Sequence, residues 1–522
     1  MDATHKPESQ SEVADLLVYL RQKGVRLRSK NGNLHCEAPK GAVTLEEIEL
    51  IRGAKDELIA LLTTISAGGI SLLACEPSPR RDRAPLAYSQ LAWWQLHKLG
   101  ARNSSRSIAS AICLRGRLNV DALTRGCEVI VRRHDALRTR ILVCDGLPMQ
   151  VIDEPAGWTL RVVDLTTVTQ QRRDYEIAGR IEKLIAEPID LAVGPLFAVE
   201  LSRLSNDEHV LIVSMDHIIS DGYSLSVLLR EIFEAYVQIL NGGTVCLPGI
   251  PTQFIDYAQW QRNSAREWIE EHGSYWSEHL KGCGRVKFPE DRGLSSITQT
   301  GWGQVRVTLK SSLRAQLSEW CRVRKTTLVM GVFTAYAALV LRWCNNPEAV
   351  IQYQSDGRIG AKLENAIGFY SSRLYLRTQL FHHDSFNSLL KRITDEYCAA
   401  YEHVDFYYLE AQVNHPEFAH NTLFNWAPEG SSGIDLSCLL GSDNSLTICP
   451  IPFLNPWLRD LDWDNEPTIL LSDLGDEVVG GVYFPMNRFS DATMARFARN
   501  FLVFIEEQLR HPEGRISDIS LD

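Results

Sequence analysis

A mixed α/β architecture, with a small helix–hairpin–helix unit ahead of two larger halves of strands and helices, is what the sequence predicts. Three observations carry this. The chain has 522 residues, more than a single core accommodates, which implies about two to four units. Strand-like apolar runs alternate with stretches of helical spacing through both halves, the sequence sign of strands interleaved with helices. Between the small unit and the halves, Ala67-Gly68-Gly69, Pro77-Ser78-Pro79 and Arg80-Arg81-Asp82-Arg83 have the composition of a linker. The boundaries that follow are 1–66, a linker over 67–84, a first half over 85–265 and a second over 266–522.

Composition narrows the function. The chain is 45% hydrophobic and 23% charged, and no apolar run reaches membrane-spanning length. Residues 1–15 lack the charged-then-apolar pattern of a secretory leader. The net charge of −11 argues against a nucleic-acid surface, and the short arginine run reads as solvated linker. Twelve cysteines stand singly, with no CxxC among them, as in a cytoplasmic protein with reduced thiols. Fourteen histidines show no HExxH spacing, and no metal is expected.

In the small unit Ser9-x-x-Glu12 is a capping-box pattern. Val13, Leu16, Leu17 and Leu20 follow at helical spacing, and Gly24 ends the helix. Strand-like Val25–Leu27 and Leu34–Cys36 flank Asn31-Gly32, a hairpin signal. Thr44-x-x-Glu47 then starts a helical stretch through Ile48, Ile51, Leu58 and Leu61, giving an αββαα order. Gly24-Val25-x-Leu27, Asn33-Leu34, Ala38-Pro39-x-Gly41 and Lys55-x-Glu57-Leu58 resemble the TubC-type docking domain at the N-terminus of some synthetase subunits. That resemblance implies capture of an upstream subunit's C-terminal peptide by strand addition. The bland reading of the same segment is a helical decoration of the main domain.

The first large half turns on Val213-Ser214-Met215-Asp216-His217-Ile218-Ile219-Ser220-Asp221-Gly222-Tyr223-Ser224. Strand formers from His209 to Met215 stop at a polar Asp and His, turn at Gly222 and enter a helix marked by Leu225, Leu228, Leu229, Ile232, Phe233 and Tyr236. A strand-end loop is where a rigid scaffold carries chemistry. Ahead of it lie Leu86-Ala87-Tyr88-Ser89-Gln90-Leu91-Ala92-Trp93-Trp94, whose tryptophans alone mean helix packing, and Arg133-His134-Asp135-Ala136-Leu137-Arg138-Thr139, a charged helix end running into a strand. Behind it lie Asp256-Tyr257-Ala258-Gln259-Trp260-Gln261 and Tyr275-Trp276.

The second half reads as strand Gln304–Leu309, apolar helix Thr327–Trp343, strand Ala349–Gln354, and then Asp356-Gly357-Arg358. Ile367-Gly368-Phe369-Tyr370-Ser371-Ser372-x-Leu374-x-Leu376-Arg377 follows. Strands at Thr468–Ser472 and Gly480–Tyr483 lead into helix Ala492–Leu509.

Taken together and in this order, these stretches resemble the landmarks of the condensation domains of nonribosomal peptide synthetases, over residues 85 to about 515. The 213–224 segment matches the HHxxxDG signature, with Asp216 in place of the first histidine; Ala92 replaces an arginine, Ser372 an asparagine, and the landmarks at Glu402–Leu409 and Thr422 are worn. The resemblance implies two chloramphenicol-acetyltransferase-like lobes in a V-shaped pseudo-dimer, a tunnel between them, and carrier proteins docking at opposite mouths. It implies amide formation between an acyl donor and the amine of an aminoacyl thioester on an acceptor carrier protein. The donor is a carrier-bound thioester or, in a starter-type domain, a fatty acyl-CoA. No cofactor is expected to be bound; the phosphopantetheine belongs to the partner carriers. A lipopeptide product fits the starter alternative, and the lack of adenylation and carrier segments marks the chain as a piece of a longer synthetase.

Within the resemblance His217 is the catalytic histidine, Asp221 a structural carboxylate held by Arg358, and Gly222 a residue whose free φ lets substrate approach the backbone. Asp216 supports the loop, Arg138 supports the active-site floor, and Ser224 is suited to cap the following helix. Three alternatives stay open. Asp216-x-x-x-x-Asp221-x-x-Ser224 also fits the DxxxxDxxS pattern of heterocyclisation domains. A non-catalytic interface domain recruiting a tailoring enzyme would explain Asp216 and the worn landmarks. A free-standing acyltransferase fits the motif but leaves the docking unit idle.

Overall fold

The computed structural model describes residues 20, 26–30, 33–37, 43–55, 58, 82–98, 107–155, 157–187, 189–291, 301–358, 361–403, 421–427, 446–450 and 466–521. The expected helix over 9–20, apart from residue 20, the Asn31-Gly32 turn, the linker up to residue 81 and most of the 402–409 landmark lie outside the described residues.

In the small unit β1 (Arg26–Lys30) pairs antiparallel with β2 (Asn33–Glu37), Lys30 opposite Asn33. A two-residue connection is therefore all that joins them, as Asn-Gly predicts. Helix α1 (Leu45–Gly53) opens on the expected capping box: Glu47 N–H donates to Thr44 Oγ1 at 3.2 Å and Thr44 N–H to Glu47 Oε2 at 2.7 Å.

The first lobe begins two residues inside the stretch read as linker, with β3 (Arg83–Pro85), because β3 pairs with a hairpin strand. There follow α2 (Tyr88–Lys98), β4 (Ser107–Arg115), α3 (Val120–Arg133), β5 (Thr139–Cys144), β6 (Leu147–Ile152), β7 (Arg161–Asp164), α4 (Gln170–Ala186), β8 (Phe197–Arg203), β9 (Glu208–Asp216) and α5 (Gly222–Leu240). A long helix, α6 (Phe254–His279), leads out of this lobe and runs unbroken through position 265. The second lobe holds β10 (Trp302–Leu309), α7 (Ser311–Val323), α8 (Leu328–Trp343), β11 (Glu348–Ser355), β12 (Ser372–Gln379), α9 (Phe386–Glu402), β13 (Leu423–Ala427), β14 (Thr447–Pro450), β15 (Thr468–Asp473), β16 (Val478–Pro485) and α10 (Asp491–Arg510).

Each lobe is built on a mixed sheet. The first has the order β14-β4-β9-β8-β7, the second β10-β16-β15-β13-β11-β12, and β3-β6-β5 form a small third sheet. Strand β14 comes from the second half of the chain yet pairs with β4, Cys449 opposite Cys113, so the halves are stitched together.

Strand β9 is buried along nearly its whole length because helices cover both its faces. Leu211, Val213 and Met215 join the core formed with Leu123, Ile130, Leu228 and Ile232 of α3 and α5. Val210 and Ile212 point the other way, into a second cluster with Ile177, Ile181 and Ile185 of α4. That two-sided apolar sandwich fixes the register of β9 and so the place where its polar end emerges. Among the described residues no single helix is long and apolar enough to cross a membrane.

Candidate active site

The end of β9 is a sequence of small hydrogen-bonded turns. Asp216 Oδ1 accepts from Ile218 N–H at 2.8 Å and so caps a short turn, His217–Ile219. Ser220 Oγ donates to the Asp216 carbonyl at 2.9 Å. Asp221 then caps α5, its Oδ1 accepting from Ser224 N–H at 2.8 Å. The turn is braced from α2: Gln90, fully buried, accepts from Ala87 N–H and donates to the Ile218 carbonyl, both at 2.9 Å.

His217 Nδ1 lies 2.7 Å from the Ser220 carbonyl oxygen. A carbonyl only accepts, so Nδ1 carries the proton and Nε2 keeps its lone pair. The imidazole sits between two aromatic rings, with centroids 5.0 Å away at Trp93 and 4.2 Å at Phe369. Loss of solvent there pushes its pKa below the ordinary histidine value; the Ser220 bond and the Asp221 charge offset part of this, and the Arg373 charge adds to it. The ring is neutral at pH 7.

Asp221 is the tie between the lobes. Arg358, just beyond β11, donates Nη1–H to Oδ2 at 2.8 Å and Nη2–H to Oδ1 at 3.0 Å. The N–H groups of Tyr370 and Ser371, just before β12, both donate to Oδ2 at 3.1 Å. Burial alone would raise the carboxyl's pKa, but the Arg358 charge and hydrogen bonds, with those of Ser224, hold it below its usual range. The Arg358 guanidinium is itself packed between the Tyr223 and Tyr370 rings, at 4.4 and 4.5 Å. Two glycines make room for this junction. Gly357 has φ +63, and a Cβ on it would fall 1.8 Å from the Tyr370 carbonyl oxygen; a Cβ on Gly368 would overlap the Phe254 ring at 2.2 Å.

The structure therefore brings His217, Asp221, Ser224, Asp216 and Arg358 together, and alters three expectations. Ser224 does not cap α5, because the helix starts two residues earlier, at Gly222; its Oγ instead sits among Asp221, Arg358 and the Gly368 backbone, within 2.7–3.0 Å of each. Gly222 occupies the first helical position, is not among the positive-φ glycines, and has open space where a Cβ would stand. Its backbone therefore needs no freedom of φ that another residue would lack. Arg138 bonds Asp135 at 2.6 Å and the Asp153 carbonyl, tying α3's end to the β5–β6 hairpin and not to the His217 loop. The reason is the three-residue spacing to Asp135 on the same short turn.

Sequence reasoning misses Trp93, Phe369 and the Tyr370 and Ser371 amides as parts of the site. In the sequence Trp93 reads as helix packing, and Phe369, Tyr370 and Ser371 stand out only as members of the 367–377 stretch.

Chains of known structure share this fold. The X-domain from teicoplanin biosynthesis superposes with TM-score 0.70 over 86% of this chain and 100% of its own, at 24% identity. The EpoB cyclization-docking bidomain of Sorangium cellulosum gives 0.69 over 96% and 98%, at 19% identity. Two strand-and-helix lobes joined at a turn histidine and its arginine-held aspartate define a protein of the chloramphenicol-acetyltransferase-like class. A family model for the condensation domain matches residues 80–427, and one for the TubC N-terminal docking domain matches 13–63. The chain belongs to the condensation-domain family, the amide-forming acyltransferase units of nonribosomal peptide synthetases, and carries a docking domain ahead of it. Similar chains include the bassianolide nonribosomal cyclodepsipeptide synthetase of Beauveria bassiana, 32% identical over 61% of this chain and 10% of that protein. A chondramide synthase of Chondromyces crocatus is 27% identical over 85% of this chain and 11% of its own length. The chain thus spans only a small part of these relatives.

Proposed function

We propose that the His217 loop joins an acyl group, presented as a thioester, to the amine of an aminoacyl thioester on an acceptor carrier protein. The observation that carries this is the Nδ1–H bond to Ser220, which leaves the Nε2 lone pair of a neutral imidazole for the incoming amine. An α-amine has a pKa of roughly 7.7–8, so a useful fraction is neutral near pH 7. Orientation and relay of one proton are then enough: nitrogen attacks the thioester carbon, His217 takes the proton the nitrogen sheds, and as the carbonyl re-forms the C–S bond breaks and the departing thiolate receives that proton from the imidazolium. Asp221 and Arg358 hold the loop and exchange no proton.

The phosphopantetheine that carries each substrate belongs to partner carrier proteins, and residues 13–63 supply the means of engaging an upstream synthetase subunit in the cytoplasm. The presence of His217 and Gly222 supports the condensation reading over heterocyclisation, with Asp216 as a buried loop support whose Oδ1 accepts from Ile218 N–H. The test is the intact mass of an aminoacyl-loaded acceptor carrier protein after incubation with this chain and either a carrier-bound acyl donor or a fatty acyl-CoA. A gain of one acyl group supports condensation and names the donor type; no gain from either donor overturns it in favour of an interface domain.

A further inference from the structure

Side chains alternate across β11 and β12. Tyr353 packs on the helix side, 5.6 Å from Phe333 and 5.2 Å from Tyr397. Gln352, Gln354 and, opposite Gln354, Arg373 therefore occupy the other face of the sheet. Arg373 follows Phe369 by four positions and Ser371 by two, and these touch His217 and Asp221 respectively. Its charge reaches the His217 imidazole.

Among the described residues, most shielded guanidinium groups meet a carboxylate: Arg358 has Asp221, Arg314 has Asp473 and Arg488 has Glu466. Arg262 and Arg342 donate instead to backbone carbonyls, of Leu86 and of Ile516 and Ile519. Arg373 is partly buried, and among the described residues its one acceptor is the neutral Gln352 side-chain oxygen at 3.3 Å. A guanidinium offers five N–H donors in a fork that matches a carboxylate. Most of that fork is unused beside the reacting centre.

Building on the condensation reading, we propose that Arg373 is a specificity-determining residue that binds a carboxylate carried by one of the two substrates near the bond being made. The carboxylate sits either on the acyl donor or on the side chain of the acceptor aminoacyl group. A cation that served only the reaction, by disfavouring the ammonium form of the amine or holding the oxyanion, would favour all substrates alike; a carboxylate site discriminates between an acid and its amide.

The test is calorimetric binding of four unreactive pantetheinyl thioether probes to the full chain. Two mimic the donor, ending in a carboxylate or a carboxamide, and two mimic a glutamyl or glutaminyl acceptor. One carboxylate probe is expected to bind roughly tenfold or more tightly than its amide, the range of a charge-assisted hydrogen bond. In Arg373→Gln that advantage falls to about parity, and in Arg373→Lys, which keeps the charge and loses the fork, it shrinks without vanishing. The arm that responds names the substrate. Equal binding of acid and amide in both arms, or a preference that survives Arg373→Gln, overturns the proposal. Because binding is read and not turnover, failure of the chain to condense any pair would sink the catalytic reading and leave this result legible.

Discussion

Asp221 and Arg358, 137 positions apart and in different lobes, form a two-pronged ion pair with both side chains 1% exposed. The pair serves geometry more than stability, since two buried charges repay their lost hydration only with good hydrogen bonding. Here both carboxylate oxygens are used: Oδ1 by Ser224 and Arg358, Oδ2 by Arg358, Tyr370 and Ser371. Removing one partner strands the other. Asp221→Ala is expected to lose about 3–5 kcal/mol of stability, read in a denaturant melt, with condensation lost as well.

The same pair has a pH signature. The folded Asp221 carboxyl is held below its usual pKa, so its contribution is present above the ordinary value of about 3.9 and is lost as pH falls through the lower folded value. The stability gap between wild type and Asp221→Asn is therefore expected to be constant from pH 7 to about 5 and to close only below about 4. A gap that closes near neutrality would count against the assignment.

His217 has its own pH signature, in rate. Its pKa lies below the ordinary value of about 6.5 because the Trp93 and Phe369 rings desolvate it, so the neutral form persists into mild acid. In the single-turnover rate the α-amine gives a first acid limb near its own pKa of roughly 7.7–8, and a second, steeper one from His217 is expected below about pH 6.5. Phe369→Ala admits water to the ring and should move that second limb upward, towards the ordinary value.

Gly357→Ala tests the interlobe junction without touching a charge. The alanine would need the left-handed conformation, costing about 1–2 kcal/mol, and its Cβ would meet the Tyr370 carbonyl at 1.8 Å. Displacement of Arg358 or Tyr370 should follow, seen as a lower melting temperature together with slower condensation.

Gln90→Ala, far along the chain from the loop, leaves the buried Ala87 N–H and Ile218 carbonyl without their partner. A loss of about 1–3 kcal/mol for each unsatisfied group is expected, with hydrogen exchange at Ile218 and Ser220 faster than in wild type.

Much of this is legible in the sequence because local signals agree with the fold. The β9 run ends within one residue of its expected stop, Thr44 and Glu47 form their capping box, and Arg358 meets Asp221 as the resemblance implies. What sequence misses depends on contacts between distant segments. Phe369 and Trp93 are ordinary core-type residues until folding brings both rings against one imidazole. Ser224 looks like a cap because polar residues at a helix start usually are; Asp221 already holds that place, which frees the hydroxyl to join the lobes. Arg138 matches a landmark, yet its partner Asp135 lies three residues away and takes the charge locally.

The most direct test of the catalytic reading is the single-turnover rate of amide formation on a loaded acceptor carrier, measured for wild type and for His217→Ala with thermal melts to establish that both are folded. Loss of the proton-accepting Nε2 is expected to slow the reaction by about 10²–10⁴-fold at pH 7. An unchanged rate in a folded His217→Ala chain would contradict the assignment of chemistry to this loop.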